Sequence, residues 1–271
     1  MSTIDVSIIT PNLNGAQYLR ECLESVAMQN GVRFEHWVMD GGSNDSSEAI
    51  VREFPHVLWH QGPDKGMSDA INHGFERAKG EWLIWLNADD RLKPDALRRL
   101  VELGRSGAPP ADVVYGDFEF IDAQGRLIRR LRLPPWSPFI SIHHCCYVPS
   151  TATLLRKSSV WDAGFRLRED FHYVMDGELY ARLGAAGKTF RHLAAPLADF
   201  RLHGDNASMR FLGKSRDMDK ILQAERQHIE SRAIRRAYGI TLFQEAYLNG
   251  LADGVLWILA KAWKGVRKFV S

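Results

Sequence analysis

The chain carries two adjacent carboxylates, Asp89 and Asp90, shortly after the apolar run 82–86. Carboxylates at the end of a buried strand repel each other unless a positive charge lies beside them. A hard divalent cation removes that repulsion, and it commonly keeps phosphate oxygens and waters in its coordination shell. Alone, the pair is more typical of a solvated turn that caps the next helix. It predicts a metal site when it lies on the same rim as Asp40.

Glycines and short polar side chains follow a second apolar run, in the segment DGGS at 40–43. Glycine lets a ligand approach the backbone closely, and an aspartate accepts hydrogen bonds from a base N–H or a ribose hydroxyl. The next residues, Asn44 and Asp45, are good helix N-caps. We expect Asp40 to bind a ligand and a later residue of this segment to cap the helix.

A third polar segment runs from Asp64 to Asn72, where another helix is predicted to begin. Lys65 beside a helix N-terminus suits a diphosphate, because the ammonium and the terminal N–H groups both favour negative charge. Asp69 follows in the first turn of that helix. Capping of the helix would explain these residue types equally well.

The elements that position these residues alternate between strand and helix over the first hundred residues. Short apolar runs predict strands at 6–10, 36–39, 57–60 and 82–86, with helices between them. A helical period predicts the first of these helices, with Leu19, Cys22, Leu23 and Val26 on one face, and Pro94 is predicted in the first turn of a helix after the last strand. This alternation predicts an α/β fold whose mostly parallel sheet is flanked by helices. Ligands bind beyond the carboxyl ends of the strands in such sheets. The polar clusters at 10–12, 40–43 and 87–90 should therefore meet on one rim.

The pattern changes after Pro109-Pro110. Alternation of apolar and polar residues predicts antiparallel strands at 113–120 and 127–133. The segments that follow are predicted to be a loop at 134–149, a strand at 151–155, a helix at 177–186 and an extended segment at 190–201. From residue 212 the pattern is helical. The chain is thereby divided into three predicted parts: 1–110, 111–205 and 206–271.

Five segments resemble, in their order, family 2 glycosyltransferases of the GT-A fold: SIITPNLN, VMDGGSNDSS, PDKGMSDAINHGFERAKGEWLIWLNADD, MDGELYARL and FRLH. The third is similar to bacterial enzymes that build cell-surface polysaccharide. The resemblance implies a GT-A-like α/β fold with a mostly parallel nucleotide-binding sheet. It also implies that 1–110 binds the nucleotide sugar, that 111–205 binds the acceptor on a smaller mixed sheet and holds the catalytic base, and that 206–271 is a helical extension.

The resemblance implies the residues that contact the donor: Thr10, Pro11, Asn12, Asp40, Lys65, Asp69, Asn87 and Asp89. Among them, Pro11 and Asn12 would lie near the base, Asp40 would bind the uracil or ribose, and Asp89 would touch the ribose. Asn87 stands where many family members have aspartate, so its role is an open expectation.

The resemblance also implies the metal ligands and the base. Asp90 would hold the metal, and His203 in FRLH would complete the metal or diphosphate site, unless it is an ordinary histidine at a strand end. Asp176 in MDGELYARL matches the catalytic base. Many members have glutamate before that aspartate, whereas this chain has Met175.

These roles imply a metal-dependent, inverting glycosyltransferase. Asp176 would take the proton of an acceptor hydroxyl as its oxygen attacks the anomeric carbon, while Mn²⁺ or Mg²⁺ offsets charge on the departing diphosphate. The expected partners are a UDP-sugar and a saccharide or lipid-linked saccharide acceptor, in polysaccharide or glycolipid synthesis. Two alternatives are a sugar nucleotidyltransferase, whose Gly-rich basic N-terminal loop this sequence lacks, and a non-catalytic nucleotide-sugar-binding module, which would not need Asp176.

Composition limits the other functions. A net charge of +2 over 271 residues predicts no nucleic-acid partner. Three cysteines without a CxxC pair fit a reducing compartment. The N-terminus lacks the pattern of a signal peptide, and no long apolar run predicts a membrane span, so we expect a cytoplasmic protein. The basic stretch 126–132 favours a solvated sheet edge over an acceptor-diphosphate contact, and HHCC at 143–146 favours an acceptor-side loop over a zinc site.

The C-terminal segment 251–271 has an amphipathic helical pattern. Its apolar face includes Trp263 and Phe269, and its opposite face carries four basic residues: Lys261, Lys264, Arg267 and Lys268. This pattern is typical of a helix in a membrane interface. The alternative is a helix that packs its apolar face on the catalytic domain. We expect peripheral attachment to an anionic membrane surface, at the inner face of the cytoplasmic membrane.

Overall fold

The structure, a computed structural model, describes residues 4–143, 146–203 and 229–238. Strands and helices alternate in its first half, in the order β1 (Val6–Asn12), α1 (Ala16–Ala27), β2 (Phe34–Asp40), α2 (Ser47–Val51), β3 (Val57–Gln61), α3 (Met67–Arg77), β4 (Trp82–Trp85), β5 (Arg91–Leu92) and α4 (Ala96–Arg105). The four strands predicted in this half are confirmed to within two residues at either end.

The second half is more mixed, as predicted. Its elements are β6 (Val113–Ile121), β7 (Leu127–Leu131), α5 (Pro138–His143), a 3₁₀ turn (Ser150–Ala152), β8 (Thr153–Arg156), α6 (Met175–Ala185) and β9 (Phe190–Arg201). A further helical segment covers 229–238. The amphipathic helix predicted at 251–271 lies outside the described residues. No helix in the described ranges is both long enough and apolar enough to cross a membrane.

The strands of both halves join one sheet. In the described part of the chain its order is β3-β2-β1-β4-β8-β6-β9-β5, and β7 pairs with β6. The first four strands of this order are parallel. Beyond them, β8 runs antiparallel to both β4 and β6, whereas β9 runs parallel to β6. The predicted α/β class is confirmed, and the mixed strands continue the parallel sheet instead of forming a second, smaller one.

Helices cover both faces of this sheet. Strand β4 shows why, because its four residues are all buried and alternate between two hydrophobic clusters. Trp82 and Ile84 pack with residues of α1 and α4, whereas Leu83 and Trp85 pack with residues of α3 and α6. A strand directs successive side chains to opposite faces, so an entirely apolar strand requires an apolar layer on each side.

Two local predictions were wrong. Residues 138–143 form α5 within the predicted loop, because the Ser137 hydroxyl accepts a hydrogen bond from the Ile140 N–H and caps the helix. Pro94 precedes α4 instead of occupying its first turn. There the Lys93 N–H donates to the Leu197 carbonyl at 2.8 Å, which holds the chain against β9 and delays the helix.

Candidate active site

A cavity of about 510 Å³ opens at the carboxyl ends of β1 and β4 and beside the first turns of α3 and α6. Its volume is within the range of small-molecule sites. Six of the predicted site residues line it: Pro11, Asn12, Asn87, Asp89, Asp176 and His203. The expected meeting of strand ends on one rim therefore produces a cavity.

One corner of the cavity is built by Asn12 and Asp40. The Asn12 Nδ2 donates to Asp40 Oδ2 at 2.7 Å, and the Ser43 hydroxyl donates to the same oxygen at 2.5 Å. Burial would raise the pKa of Asp40, but the hydrogen bonds from Ser43, Asn12 and the Gly42 N–H outweigh it, so the pKa is lowered. Asp40 is thus ionised and nearly inaccessible, with 2% exposure.

The Asp40 carboxylate also fixes the orientation of the Asn12 amide. Because Nδ2 faces a carboxylate, which can only accept, Oδ1 must be the other atom of the amide. That oxygen is buried and has no hydrogen-bond partner among the described residues. Asn12 therefore has a buried acceptor that pairs with no described residue, whereas Asp40, predicted to bind the donor directly, holds the Asn12 amide in place.

Thr10 lies away from the cavity. Its side chain is fully buried, and Oγ1 lies 2.9 Å from His36 Nε2 on the neighbouring strand. Burial lowers the pKa of His36 to about 3, so the imidazole is neutral. The predicted donor contact of Thr10 is replaced by a contact between strands, because its side chain points into the layer below the rim.

A second corner holds Asp89 and His203. Asp89 Oδ2 lies 2.9 Å from His203 Nε2, and both residues line the cavity. The two residues are far apart in the sequence, since Asp89 follows β4 and His203 follows β9. The Arg201 guanidinium donates through Nε to the Asp89 carbonyl at 2.9 Å and stacks on Tyr18, which fixes the backbone at this corner.

Asp90, the predicted metal ligand, points into the protein. It is 1% exposed, and its Oδ1 accepts the Arg201 N–H at 2.9 Å. Its Oδ2 lies 3.4 Å from Asn87 Nδ2. Burial, and then the charge of Asp89, raise the pKa of Asp90 well above its ordinary value. In the structure Asp89 faces the cavity, whereas Asp90 joins β9 to the rim.

The described side chains supply only part of the coordination shell of a divalent cation. Within the described ranges, no group of three or more histidines, cysteines, aspartates or glutamates is arranged to hold one. Asp89 and His203 supply one oxygen and one nitrogen side by side. Mg²⁺ and Mn²⁺ sites that carry diphosphates commonly take their remaining ligands from phosphate oxygens and water. The pair fits such a cation as the protein's share of the coordination shell.

Asp176 also lines the cavity, from the first turn of α6. Its Oδ1 accepts the Gly177 N–H at 2.7 Å. Burial raises the pKa of Asp176 to about 6, and this outweighs the backbone hydrogen bonds that lower it. A carboxylate with this pKa is ionised at neutral pH, yet it is a stronger proton acceptor than an exposed aspartate.

Lys65 and Asp69 flank the cavity. Asp69 is nearly buried and accepts the Lys65 N–H at 3.0 Å, which supports its interpretation as a capping residue of α3. The Lys65 ammonium lies 3.3 Å from Glu169, and its side chain is 77% exposed. Exposed ion pairs contribute only about 0–1 kcal/mol. Lys65 can therefore leave Glu169 for a more strongly charged ligand.

Tyr18, His172, Tyr173 and Phe200 are among the cavity-lining residues that were not predicted from the sequence. Two of them had a usable signal, because His172 and Tyr173 lie three and two positions before the segment MDGELYARL. Tyr18 and Phe200 are ordinary core-forming types in a helix and a strand, and only the fold brings them to the rim.

Comparison with known proteins identifies relatives of this chain. Residues 7–161 match the family model described as Glycosyl transferase family 2. A PGL/p-HBAD biosynthesis glycosyltransferase from Mycobacterium bovis is 41% identical over 118 residues, which are 41% of this chain and 45% of that protein. The matched region thus spans less than half the length of this relative.

Two solved structures have the same fold. S. aureus TarS in complex with UDP-GlcNAc superposes with a TM-score of 0.64 at 16% identity, over 87% of this chain and 73% of that one. The mannosyltransferase PcManGT from Pyrobaculum calidifontis, in complex with GDP-Man and Mn²⁺, superposes with a TM-score of 0.60 at 14% identity, over 98% and 81% of the two chains. At these identities the likeness concerns the fold.

Proposed function

Because the chain belongs to glycosyl transferase family 2, we propose that it transfers a sugar from a nucleotide diphosphate donor to an acceptor hydroxyl, with inversion at the anomeric carbon. One observation carries the proposal. A carboxylate with a raised pKa, Asp176, and the Asp89–His203 pair lie on the walls of the same cavity. A module that only bound the donor would have no use for the proton acceptor.

The donor is proposed to lie along the carboxyl ends of β1 and β4. Asn12 would accept a hydrogen bond from the base through Oδ1, and Asp40 would orient it. Pro11 and Asn87 would line the nucleoside, and the Lys65 ammonium would approach the diphosphate. We propose a UDP-sugar as the donor. This is supported by the fold shared with a protein whose structure contains UDP-GlcNAc.

Asp89 and His203 are the proposed protein ligands of Mn²⁺ or Mg²⁺. A cation held there would offset the negative charge on the departing diphosphate. Asp90 and Arg201 would act behind this pair, because the bond from the Arg201 N–H to Asp90 ties β9 to the rim. Displacement of that bond would move His203, which is two residues further along the chain, away from Asp89.

Asp176 is the proposed base. Its carboxylate would accept the proton of the acceptor hydroxyl as the oxygen forms a bond with the anomeric carbon and the bond to the diphosphate breaks. One displacement from the face opposite to the leaving group inverts the configuration. The remaining wall, which includes His172 and Tyr173, would position the acceptor and exclude water.

We propose that the acceptor is a saccharide or lipid-linked saccharide, in polysaccharide or glycolipid synthesis, and that the enzyme works in the cytoplasm at the membrane surface. The parts 1–110 and 111–205 are proposed to serve the donor and the acceptor. The part 206–271 is proposed to add helices, of which 229–238 are described.

The proposal is tested with a panel of nucleotide sugars. Thermal shift with and without Mn²⁺ first selects the donor, and release of nucleoside diphosphate is then measured with saccharide and lipid-linked saccharide acceptors. Proton NMR of the anomeric signal gives the configuration of the product. Acceptor-dependent release with inversion is expected. Nucleotide binding without release from any donor would overturn the enzymatic role, and a retained configuration would overturn the single displacement.

A further inference from the structure

The helical segment 229–238 touches the loop that precedes the proposed base. Its Glu230 is 6% exposed, and the carboxylate accepts hydrogen bonds from three consecutive backbone N–H groups. The partners are His172 at 3.0 Å, Tyr173 at 3.0 Å and Val174 at 3.3 Å. Three successive N–H groups that converge on one anion form the backbone concavity known as a nest.

This carboxylate holds the turn that leads into α6. Val174 is the N-cap residue of α6, and valine has no side-chain acceptor, so the helix has no side-chain cap of its own within the described structure. Backbone N–H groups that are buried without an acceptor raise the free energy of the folded state. Glu230, more than fifty positions away in sequence, supplies the acceptor for the N–H groups of the N-cap residue and of the two residues before it.

The same three residues determine where the base lies. His172 and Tyr173 line the cavity, and Asp176 is the second residue of the helix that starts immediately after Val174. A shift of this backbone would therefore move the acceptor wall and the base together. Displacements of about 1 Å at a reacting group can lower turnover about 10²-fold.

Other contacts hold the helical segment against the domain. The Tyr238 hydroxyl donates to Glu178 Oε1 at 2.7 Å, and Glu178 is fully buried on α6. Ile234, halfway between, is 7% exposed and belongs to the same hydrophobic cluster as Leu179 and Tyr180. The segment thus has an apolar contact and a second polar contact that do not involve Glu230, so removal of that carboxylate need not detach it.

We infer that Glu230 is a positioning residue for the acceptor wall and the base, acting through the backbone of residues 172–174. The inference rests on the proposed glycosyl transfer, because Asp176 is a base only in that reaction. It gives Glu230, a residue beyond β9, an indirect part in catalysis. The carboxylate acts on the placement of Asp176 and should have little effect on the nucleotide, which is proposed to lie along the carboxyl ends of β1 and β4.

The test compares Glu230→Ala, Glu230→Gln and Glu230→Asp in the full chain. The glutamine variant keeps the size of the side chain but turns an amide N–H₂ toward backbone donors, whereas the aspartate variant keeps the carboxylate. Tyr238→Phe is the matched control, because it removes the other polar contact between this segment and α6. We measure kcat with the selected donor, UDP affinity by calorimetry, and hydrogen exchange at the amides of 172–174.

We expect kcat to fall about 10- to 100-fold in the alanine and glutamine variants, with partial rescue in the aspartate variant and faster exchange at 172–174. UDP affinity should stay within about threefold, and Tyr238→Phe should keep its turnover. Equal losses in Tyr238→Phe, a proportional loss of UDP affinity, or unchanged kcat in Glu230→Gln would overturn the inference. If the alanine variant does not fold, the glutamine variant decides by the same criteria. An inactive wild type would instead overturn the proposed function itself, and this positioning role with it.

Discussion

The charge of Asp176 depends on a competition at a single residue. Its position in the first turn of a helix favours the ionised form, whereas burial disfavours it, and burial wins because the pKa rises to about 6. The sequence located this aspartate through its motif. It could not supply the pKa, because burial of Asp176 depends on residues from several distant segments.

The first prediction concerns the pH dependence of turnover. Because the ionised form is the proton acceptor, kcat should be constant above about pH 7 and should fall about tenfold per pH unit below the pKa of about 6. Initial rates between pH 4.5 and 8, about the span of one His- or Asp-type titration, measure the profile. In Asp176→Asn the rate should be at least about 10²-fold lower and lose this dependence. A wild-type profile that is flat through pH 5 would exclude Asp176 as the base.

The second prediction concerns stability at the same residue. The folded-state pKa is about 6 and the ordinary value is 3.8, so the folded protein binds the proton more tightly. The contribution of Asp176 to the free energy of unfolding is therefore lost as pH rises from about 4 to 6. Replacement by asparagine should raise the free energy of unfolding at pH 8 by up to about 3 kcal/mol and change it little at pH 4. Urea unfolding at both pH values tests this, and equal stability of the two proteins at pH 8 would contradict it.

The third prediction separates the neighbouring carboxylates. Asp89→Ala should fold normally and weaken the Mn²⁺-dependent part of UDP binding by at least about tenfold. Asp90→Ala should instead lower the free energy of unfolding by about 1–3 kcal/mol, because the buried Arg201 N–H loses its acceptor. Calorimetry with and without Mn²⁺, together with urea unfolding, measures both effects. If Asp90→Ala is as stable as wild type and its UDP affinity no longer depends on Mn²⁺, Asp90 is the metal ligand, as predicted from the sequence.

Helices and strands were the most predictable level of this protein. Apolar runs located the four strands of the first half, and periodicity located α1, whose Leu19, Cys22, Leu23 and Val26 are all buried. The start of α4 was predicted too early, because the hydrogen bond from the Lys93 N–H to β9 holds the chain in an extended form before the helix begins. The burial of Thr10 could not be predicted for a similar reason. Alternation along β1 assigns each side chain to a face of the sheet, but it does not show where the buried strand ends and the rim begins.

The fourth prediction concerns the contact between α3 and β1. Gly74 lies on the buried face of α3, and a Cβ at this position would overlap the Ile9 side chain. Alanine favours a helix over glycine by about 1 kcal/mol, but forced overlap in a packed core costs about 1–3 kcal/mol. We expect Gly74→Ala to be destabilising in thermal and urea unfolding. Glu76→Ala, on the exposed face of the same helix, is the control and should stay within about 0.5 kcal/mol of wild type. A stabilised Gly74→Ala variant would show that Ile9 moves aside at little cost.

At the scale of the whole molecule, the region beyond β9 has two separate expected roles. The described part, 229–238, contacts the catalytic domain through Glu230, Ile234 and Tyr238. The amphipathic pattern at 251–271 favours a membrane surface. The sequence indicated helices here but not the contact of Glu230 with the loop before α6, because a single buried glutamate has no periodic signal.

The fifth prediction uses two shortened chains to separate these roles. A chain that ends at residue 238 should keep its turnover but float less with anionic liposomes, because each basic residue near such a surface contributes about 1 kcal/mol. A chain that ends at residue 228 should also lose turnover. Flotation and initial rates measure both. Equal flotation of the full and 238-residue chains would exclude 251–271 as the anchor, and unfolding of the 238-residue chain would favour packing of that helix on the domain.

The pairing of Asp89 with His203 spans 114 positions of the chain, and this has a consequence for synthesis on the ribosome. The polypeptide emerges from its N-terminus, and the parallel strands β1 to β4 can associate before β9 has been translated. Until β9 joins β6, the growing protein exposes Asp89 at a rim that lacks its imidazole partner. A nascent chain that stops short of His203 is therefore expected to lack one of the two proposed cation ligands, so a cation that needs both could bind only after β9 has been translated.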